Sequence, residues 1–241
     1  MYSIAELVYR NHYTVLRSDL RVYWVMRFAP GEFYHIVNRG VDGKIVFPQR
    51  SDYERFLKGL HMFNSPRPCQ LRDISSTEIR SQGERLVDML SYCLMKDHTH
   101  LSMRAKSPQK ASLFLQKIFI GYTMYFNTKY ERRGVLFQGK AKAVPVKRGE
   151  HLDHLFRYIH LNPLDYIDRR WREHGVRNTA SIRKAILEYP WSSMRAIIGE
   201  REDPILNHEL LRQLVPPKKE FLQDLLSWVS GDPISVWDEW E

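Results

Sequence analysis

Residues 85–105, RLVDMLSYCLMKDHTHLSMRA, constrain this chain more than any other stretch. Two runs of strand length, rich in apolar residues, are separated only by Lys96-Asp97, so they read as strands that follow one another directly and belong to an antiparallel sheet. In the second run successive side chains point to opposite faces. Thr99, Leu101, Met103 and Ala105 therefore share one face and are expected to meet helices, while His98, His100, Ser102 and Arg104 share the other.

The flanking sequence supplies the rest of a sheet. EFYHIVNRG alternates aromatic or branched residues with polar ones, predicting a strand over 33–38, and Gly40 and Asp42-Gly43 mark the turn after it. Ser51 followed by Glu54 suggests a capping box ahead of a first helix, in which Tyr53, Phe56, Leu57 and Leu60 recur at helical spacing. Residues 64–83 carry no period and read as a long loop or insertion. A second helix is expected over 108–129, with Leu113, Leu115, Ile118, Phe119, Tyr122 and Phe126 towards its buried side. KAVPV (142–146) reads as a strand at a sheet edge, because Pro145 has no N–H to give a ladder. EHLDHLFRYIHLNP is a short helix stopped at Pro163.

The order strand, helix, strand, strand, helix, strand, helix defines an α+β chain, a ferredoxin-like split βαβ arrangement on an antiparallel sheet. The expected organisation is an N-terminal extension over 1–27, with Met26 a candidate initiator, a domain over 28–165, and a mainly helical C-terminal extension over 166–241.

Charge points to the partner. Lys plus Arg exceed Asp plus Glu by 37 to 28, and a net charge of +9 favours polyanions, nucleic acid first and an anionic membrane surface second. No apolar run reaches the ~18 residues a membrane-spanning helix needs. The two cysteines, Cys69 and Cys93, form no Cys-x-x-Cys pair, which argues against a thiolate zinc site or a disulfide framework and suits a reducing cytoplasm.

Two imidazoles on one strand face can both ligate a divalent ion, yet two ligands are too few for a complete site. The last helix adds to them. At about 100° per residue, Leu152, Leu155, Phe156 and Ile159 form an apolar stripe, and His151, His154, Tyr158 and Asn162 a second one along its flank. Tyr158 reads either as an amphipathic boundary residue or as a nucleophile, and Asn162 either as a helix cap or as a polar ligand. A tyrosine can cleave a phosphodiester covalently when the phosphate charge is neutralised nearby.

FYHIVNRG, MKDHTHL, RRGVLFQGKAKAVPV, LFRYIHLNPL and YPWSSMRAIIG, in that order over residues 28–200, resemble the single-tyrosine HUH transposases, and among them the REP-associated tyrosine transposases. The resemblance implies a ferredoxin-like HUH domain, a Mg²⁺ or Mn²⁺ cofactor, and cleavage and rejoining of single-stranded DNA beside hairpin-forming repeats. It implies His98 and His100 as metal ligands, Tyr158 as the nucleophile that forms a 5′-phosphotyrosine, and Asn162 as the third ligand. Such proteins act as monomers or homodimers on single-stranded or hairpin DNA, here expected in the cytoplasm at the nucleoid. The chain departs from the family pattern in having Lys96-Asp97 before the first histidine, where Pro-Asn is usual, and Thr99 between the two. A DNA-binding module without catalysis and a metal-dependent hydrolase are the alternatives on the same fold.

The basic, glycine-punctuated segment after the second helix supplies the expected DNA contacts: Arg132, Arg133, Gln138, Lys140, Lys142 and Lys147, joined by Arg39 beside Gly40. The acidic, aromatic tail SVWDEWE is a candidate for docking on the domain or on a partner.

Overall fold

A computed structural model of the chain describes residues 13–18, 21–26, 28–68, 83–147, 149–176 and 178–230. The C-terminal tail, Cys69 and most of the expected 64–83 loop lie outside them. Within the expected N-terminal extension, β1 (Tyr13–Ser18) and β2 (Arg21–Met26) pair as an antiparallel ribbon separate from the main sheet.

The main sheet contains β3 (Phe33–Arg39), β4 (Val87–Leu94), β5 (His98–Ala105) and β6 (Lys142–Val146) in the order β4-β5-β3-β6, all neighbours antiparallel. Helix α1 (Arg50–Met62) joins β3 to β4, α2 (Pro108–Lys129) joins β5 to β6, and α3 (Glu150–Leu161) follows. This is the ferredoxin-like arrangement expected, with β6 at an edge as Pro145 requires.

Local sequence explains the helix starts, with two corrections. Helix α1 begins at Arg50, and its cap is Gln49 with Asp52: the Gln49 N–H donates to the Asp52 carboxylate at 2.8 Å. Ser51 and Glu54 are one step inside the helix, where the Glu54 carboxylate instead accepts from Arg50 at 2.7 Å. Helix α2 starts as its sequence demands, with Pro108 in the first turn and the Ser107 hydroxyl accepting from the Lys110 N–H. Its buried stripe is Ala111, Phe114, Ile118, Tyr122 and Phe126. Burying each of the larger side chains is worth ~1.5–3 kcal/mol relative to exposure. Leu113, expected near that side, is exposed.

Asp52 also fastens the two helices together. It is fully buried and accepts from Lys129 Nζ at 2.6 Å, Tyr130 Oη at 2.7 Å and Tyr125 Oη at 3.0 Å. Strand β3 ends on Gly40, where an added Cβ would sit 2.1 Å from the Lys44 carbonyl oxygen. Only glycine lets residues 40–47 fold back so closely.

Strand β4 carries a register shift between Met89 and Ser91 that leaves Leu90 without an opposite residue. Its outer edge is covered by the C-terminal part of the chain. Leu94 N–H donates to Trp191 O, Ser193 N–H to Tyr92 O and Asn207 N–H to Met89 O, at 2.8–3.0 Å. Residues 189–193, YPWSS, thus act as a partial fifth strand that blocks edge-to-edge pairing. Around them lie the short helices α4 (Trp171–His174), α5 (Thr179–Glu188), α6 (Met194–Ile197), α7 (His208–Leu214) and α8 (Lys218–Ser230). Among the described residues no helix is long and apolar enough to cross a membrane.

Candidate functional site

The sheet register puts three imidazoles on one face. Val37 lies opposite His100 and Arg39 opposite His98, so His35, two residues back along β3, points the same way as the His98/His100 pair. Helix α3 crosses this face. The Tyr158 ring meets His100 edge-on at 5.3 Å between centroids and His35 at 5.6 Å, and His98 lies 4.8 Å from His100. The histidine face is therefore roofed by a helix, and that helix carries the tyrosine.

Each of the paired histidines is held through Nδ1. His98 Nδ1 lies 2.7 Å from Asp97 Oδ1, and His100 Nδ1 lies 3.0 Å from His35 Nε2. The carboxylate can only accept, so His98 carries its proton on Nδ1 and turns an Nε2 lone pair away from Asp97. The bond from His98 in turn holds the Asp97 carboxyl below its ordinary value. Burial, reinforced by the charge of Lys142, lowers His35 to about 3. Burial followed by His98, His35, Arg172 and Arg39 keeps His100 well below the usual imidazole range. Both are therefore neutral at pH 7, and their shared hydrogen bond holds a single proton.

His100 Nε2 is buried with no hydrogen-bond partner. A buried ring nitrogen with no hydrogen bond is where a metal-ligating imidazole would present its lone pair, and the Asp97–His98 pair is the carboxylate–histidine arrangement that commonly backs metal-bound imidazoles. The donor set thus fits a divalent ion held by two imidazoles. Among the described residues no three His, Cys, Asp or Glu side chains converge as a metal site.

Asn162 sits at the end of α3 as its cap. Its Nδ2 donates to Tyr158 O at 2.8 Å, and its Oδ1 accepts from Arg172 at 3.2 Å. The carboxamide thus caps the helix end through Nδ2, and its oxygen, which carries two lone pairs, accepts one bond from the Arg172 guanidinium. Arg172 also donates to Asp165 at 2.6 Å and lies 5.7 Å from the Tyr158 ring.

The expected DNA contacts divide into two groups. Arg133, Gln138, Lys140, Lys142, Lys147 and Arg39 are exposed. Arg39 and Lys142 are the two whose charge is felt at the histidines. Arg132 instead ties its own loop, donating to Asn127 Oδ1 at 2.9 Å and Val135 O at 3.2 Å while lying over the Phe126 ring. Of the aromatic side chains near this segment, Tyr122, Phe126 and Phe137 are buried and belong to the core.

The site residues expected from sequence do not include His35, Asp97 as a partner of His98, or Arg172. His35 was findable: two residues before Val37 in an alternating strand, it had to share a face with whatever that face presents. Arg172 left no signal, because it reaches the site from beyond α3.

The fold and face together describe an α+β protein in which a two-histidine strand is covered by a tyrosine-bearing helix. No protein-family model and no curated protein sequence matches the chain. Among solved structures it is similar to one of the REP-associated tyrosine transposase bound to a REP hairpin, with 11% identity and a TM-score of 0.43, over 83% of this chain and 89% of that one.

Proposed function

We propose that the chain is a DNA-binding strand transferase that cleaves and rejoins single-stranded DNA beside hairpin repeats through Tyr158. The observation that carries this reading is the packing of the Tyr158 ring against His100, 5.3 Å between centroids, on a face that also holds His98. Tyrosine and histidine pair come from elements more than fifty residues apart in sequence. Their meeting is what a covalent phosphodiester mechanism needs and what a helix packed only for stability does not need.

His98 and His100 would hold a Mg²⁺ or Mn²⁺ ion, which when bound neutralises phosphate charge and polarises the phosphorus for attack. The chain's own groups do the rest. Exposed Lys140 and Lys147 draw the phosphate backbone to the surface, and Arg39 and Lys142 place positive charge beside the histidines. Tyr158 Oη gives up its proton and forms a bond to phosphorus. The P–O3′ bond breaks, and the 3′ oxygen takes up a proton, leaving a 5′-phosphotyrosine and a free 3′-hydroxyl. Attack by a second 3′-hydroxyl reverses the step, so bond energy is conserved and no nucleotide cofactor is used.

Tyr158 is only 1% exposed, so the reaction requires α3 to draw back from the sheet far enough to admit a phosphate. The same burial favours a second reading: a repeat-binding module on this fold in which Tyr158 is a packed core residue. Incubating the protein with a hairpin-flanked single-stranded oligonucleotide and Mn²⁺ separates the two. The first reading expects an SDS-resistant protein–DNA adduct that maps to Tyr158 and disappears in Tyr158→Phe. Binding without any adduct would establish the second, and cleavage that persists in Tyr158→Phe would point to metal-dependent hydrolysis.

A further inference from the structure

Within the site proposed above, one buried group has no place among the nucleophile, the ligands or the phosphate contacts. His35 is fully buried in the middle of β3, a central strand, with apolar Phe33 and Val37 as its neighbours on the same face. An imidazole there is costly, because a buried polar ring must be matched by hydrogen bonds, and a branched aliphatic side chain would suit the strand better.

Its surroundings say what it does. The His35 and His100 rings lie nearly parallel, 12° between planes and 5.2 Å between centroids, and Nε2 of one faces Nδ1 of the other at 3.0 Å. His35 is not a third ligand, since its Nε2 points at the back of His100 and no three such side chains converge among the described residues. The contact has two forms. If His35 Nε2 carries the proton, His100 accepts through Nδ1, its own proton moves to Nε2, and the buried position facing the site becomes a donor. If His100 Nδ1 carries it, His35 Nε2 accepts and His100 Nε2 presents a lone pair.

We propose that His35 is a positioning residue that accepts from His100 Nδ1–H and so fixes the tautomer in which His100 Nε2 is a lone-pair donor, matching what Asp97 does for His98. The two histidines would then be equivalent in tautomer but unequal in backing, one against a carboxylate and one against a neutral imidazole. His98 is accordingly the stronger ligand and His100 the one that depends on its supporting ring.

The inference rests on the metal-site reading, and its test separates the two. Long-range ¹H–¹⁵N correlation spectra of the histidine-labelled full chain report directly which nitrogen of His100 is protonated. The expected result is Nδ1–H in the wild type and a mixed tautomer in His35→Phe, which offers no acceptor. Titration with Mn²⁺, followed by water-proton relaxation, should show His35→Phe binding ~10–100-fold more weakly, the range for lost supporting partners of metal ligands. His35→Gln, whose carbonyl oxygen can accept from Nδ1–H, should recover most of that loss. Nε2–H at His100 in the wild type overturns the proposal even if His35→Phe fails to fold. So does a folded His35→Phe that keeps both the Nδ1–H tautomer and full Mn²⁺ affinity. Nδ1–H in a wild type that binds no Mn²⁺ would sink the metal site while leaving the assignment of His35 intact.

Discussion

His160 Nε2 lies 2.9 Å from Ser193 Oγ, joining the helix that carries Tyr158 to the segment that closes the edge of β4. His160 Nδ1 is 2.7 Å from the Phe156 carbonyl oxygen and must donate to it. Nε2 therefore accepts, and the Ser193 hydroxyl hydrogen goes to His160 rather than to Tyr92 O at 3.3 Å. His160 and Ser193, 33 positions apart in RYIHLNP and YPWSS, thus join the two segments into one buried polar unit.

That unit predicts a stability change with pH. Burial lowers His160 from 6.5 to about 4. Well above pH 6.5 neither folded nor unfolded chain protonates it, so its contribution is complete there. As pH falls from 6.5 towards 4 the unfolded chain binds a proton that the folded chain refuses, and stability is lost. At ~1.36 kcal/mol for each pH unit the loss reaches about 3 kcal/mol. Urea midpoints measured at pH 7 and pH 4.5 should fall for the wild type by clearly more than for His160→Gln. Equal falls would refute the assignment.

Asp52 anchors the α1–α2 contact through one ammonium and two phenols. Asp52→Ala leaves Lys129 and both hydroxyls without their shared acceptor, and the expected cost is ~3–5 kcal/mol, as for breaking a buried ion pair. Desolvation pulls Lys129 down, but its hydrogen bonds to Asp52, Tyr130 and Tyr125 together outweigh that and hold the ammonium above its ordinary value. Chemical denaturation reads the loss, and a cost below about 1 kcal/mol, the range of exposed ion pairs, would refute a buried anchor.

Gly40→Ala should be among the most damaging single-methyl additions in the chain. The new Cβ would meet the Lys44 carbonyl oxygen and Val46 Cγ1 at 2.1 and 2.9 Å, and backbone must move to admit it. A destabilisation on the order of 1–3 kcal/mol is expected, as for overpacking, together with amide shifts at Arg39 and His98, which face each other beside it. Unchanged spectra at those two residues would contradict the close approach.

Neutralising Lys140 and Lys147 together tests the DNA surface apart from catalysis. Each phosphate contact to a single strand contributes ~0.7 to the slope of log affinity against log salt, so Lys140→Gln/Lys147→Gln should flatten that slope by about 1.4. The reduction should be the same for different oligonucleotide sequences. An unchanged slope would move the DNA path off this loop.

Much of the domain was legible from local pattern. The period-two alternation of residues 33–38 and 98–105, the position of Pro145 and the stop at Pro163 each act over a few residues, and each matches the element observed. The His98/His100 pair was visible for the same reason. Less legible was β4, because the extra residue at Leu90 shifts the alternation between its two halves and both faces are buried. The capping of α1 by Gln49 and Asp52 was missed because Asp52 is chosen by its tertiary partners as well as by the helix end.

Sequence by itself determined the strands and helices of the 28–165 domain, their order and the shared face of His98 and His100, since these follow from steric periods of two and about 3.6 residues. Only the tertiary structure decided what those histidines face and which groups they hydrogen-bond. Tyr158 reaches His100 across the sheet, His35 backs it from a strand sixty-five residues away, and Arg172 takes the oxygen of Asn162 from beyond the helix. A hydrogen bond between distant residues depends on where whole elements pack, and no local period encodes that.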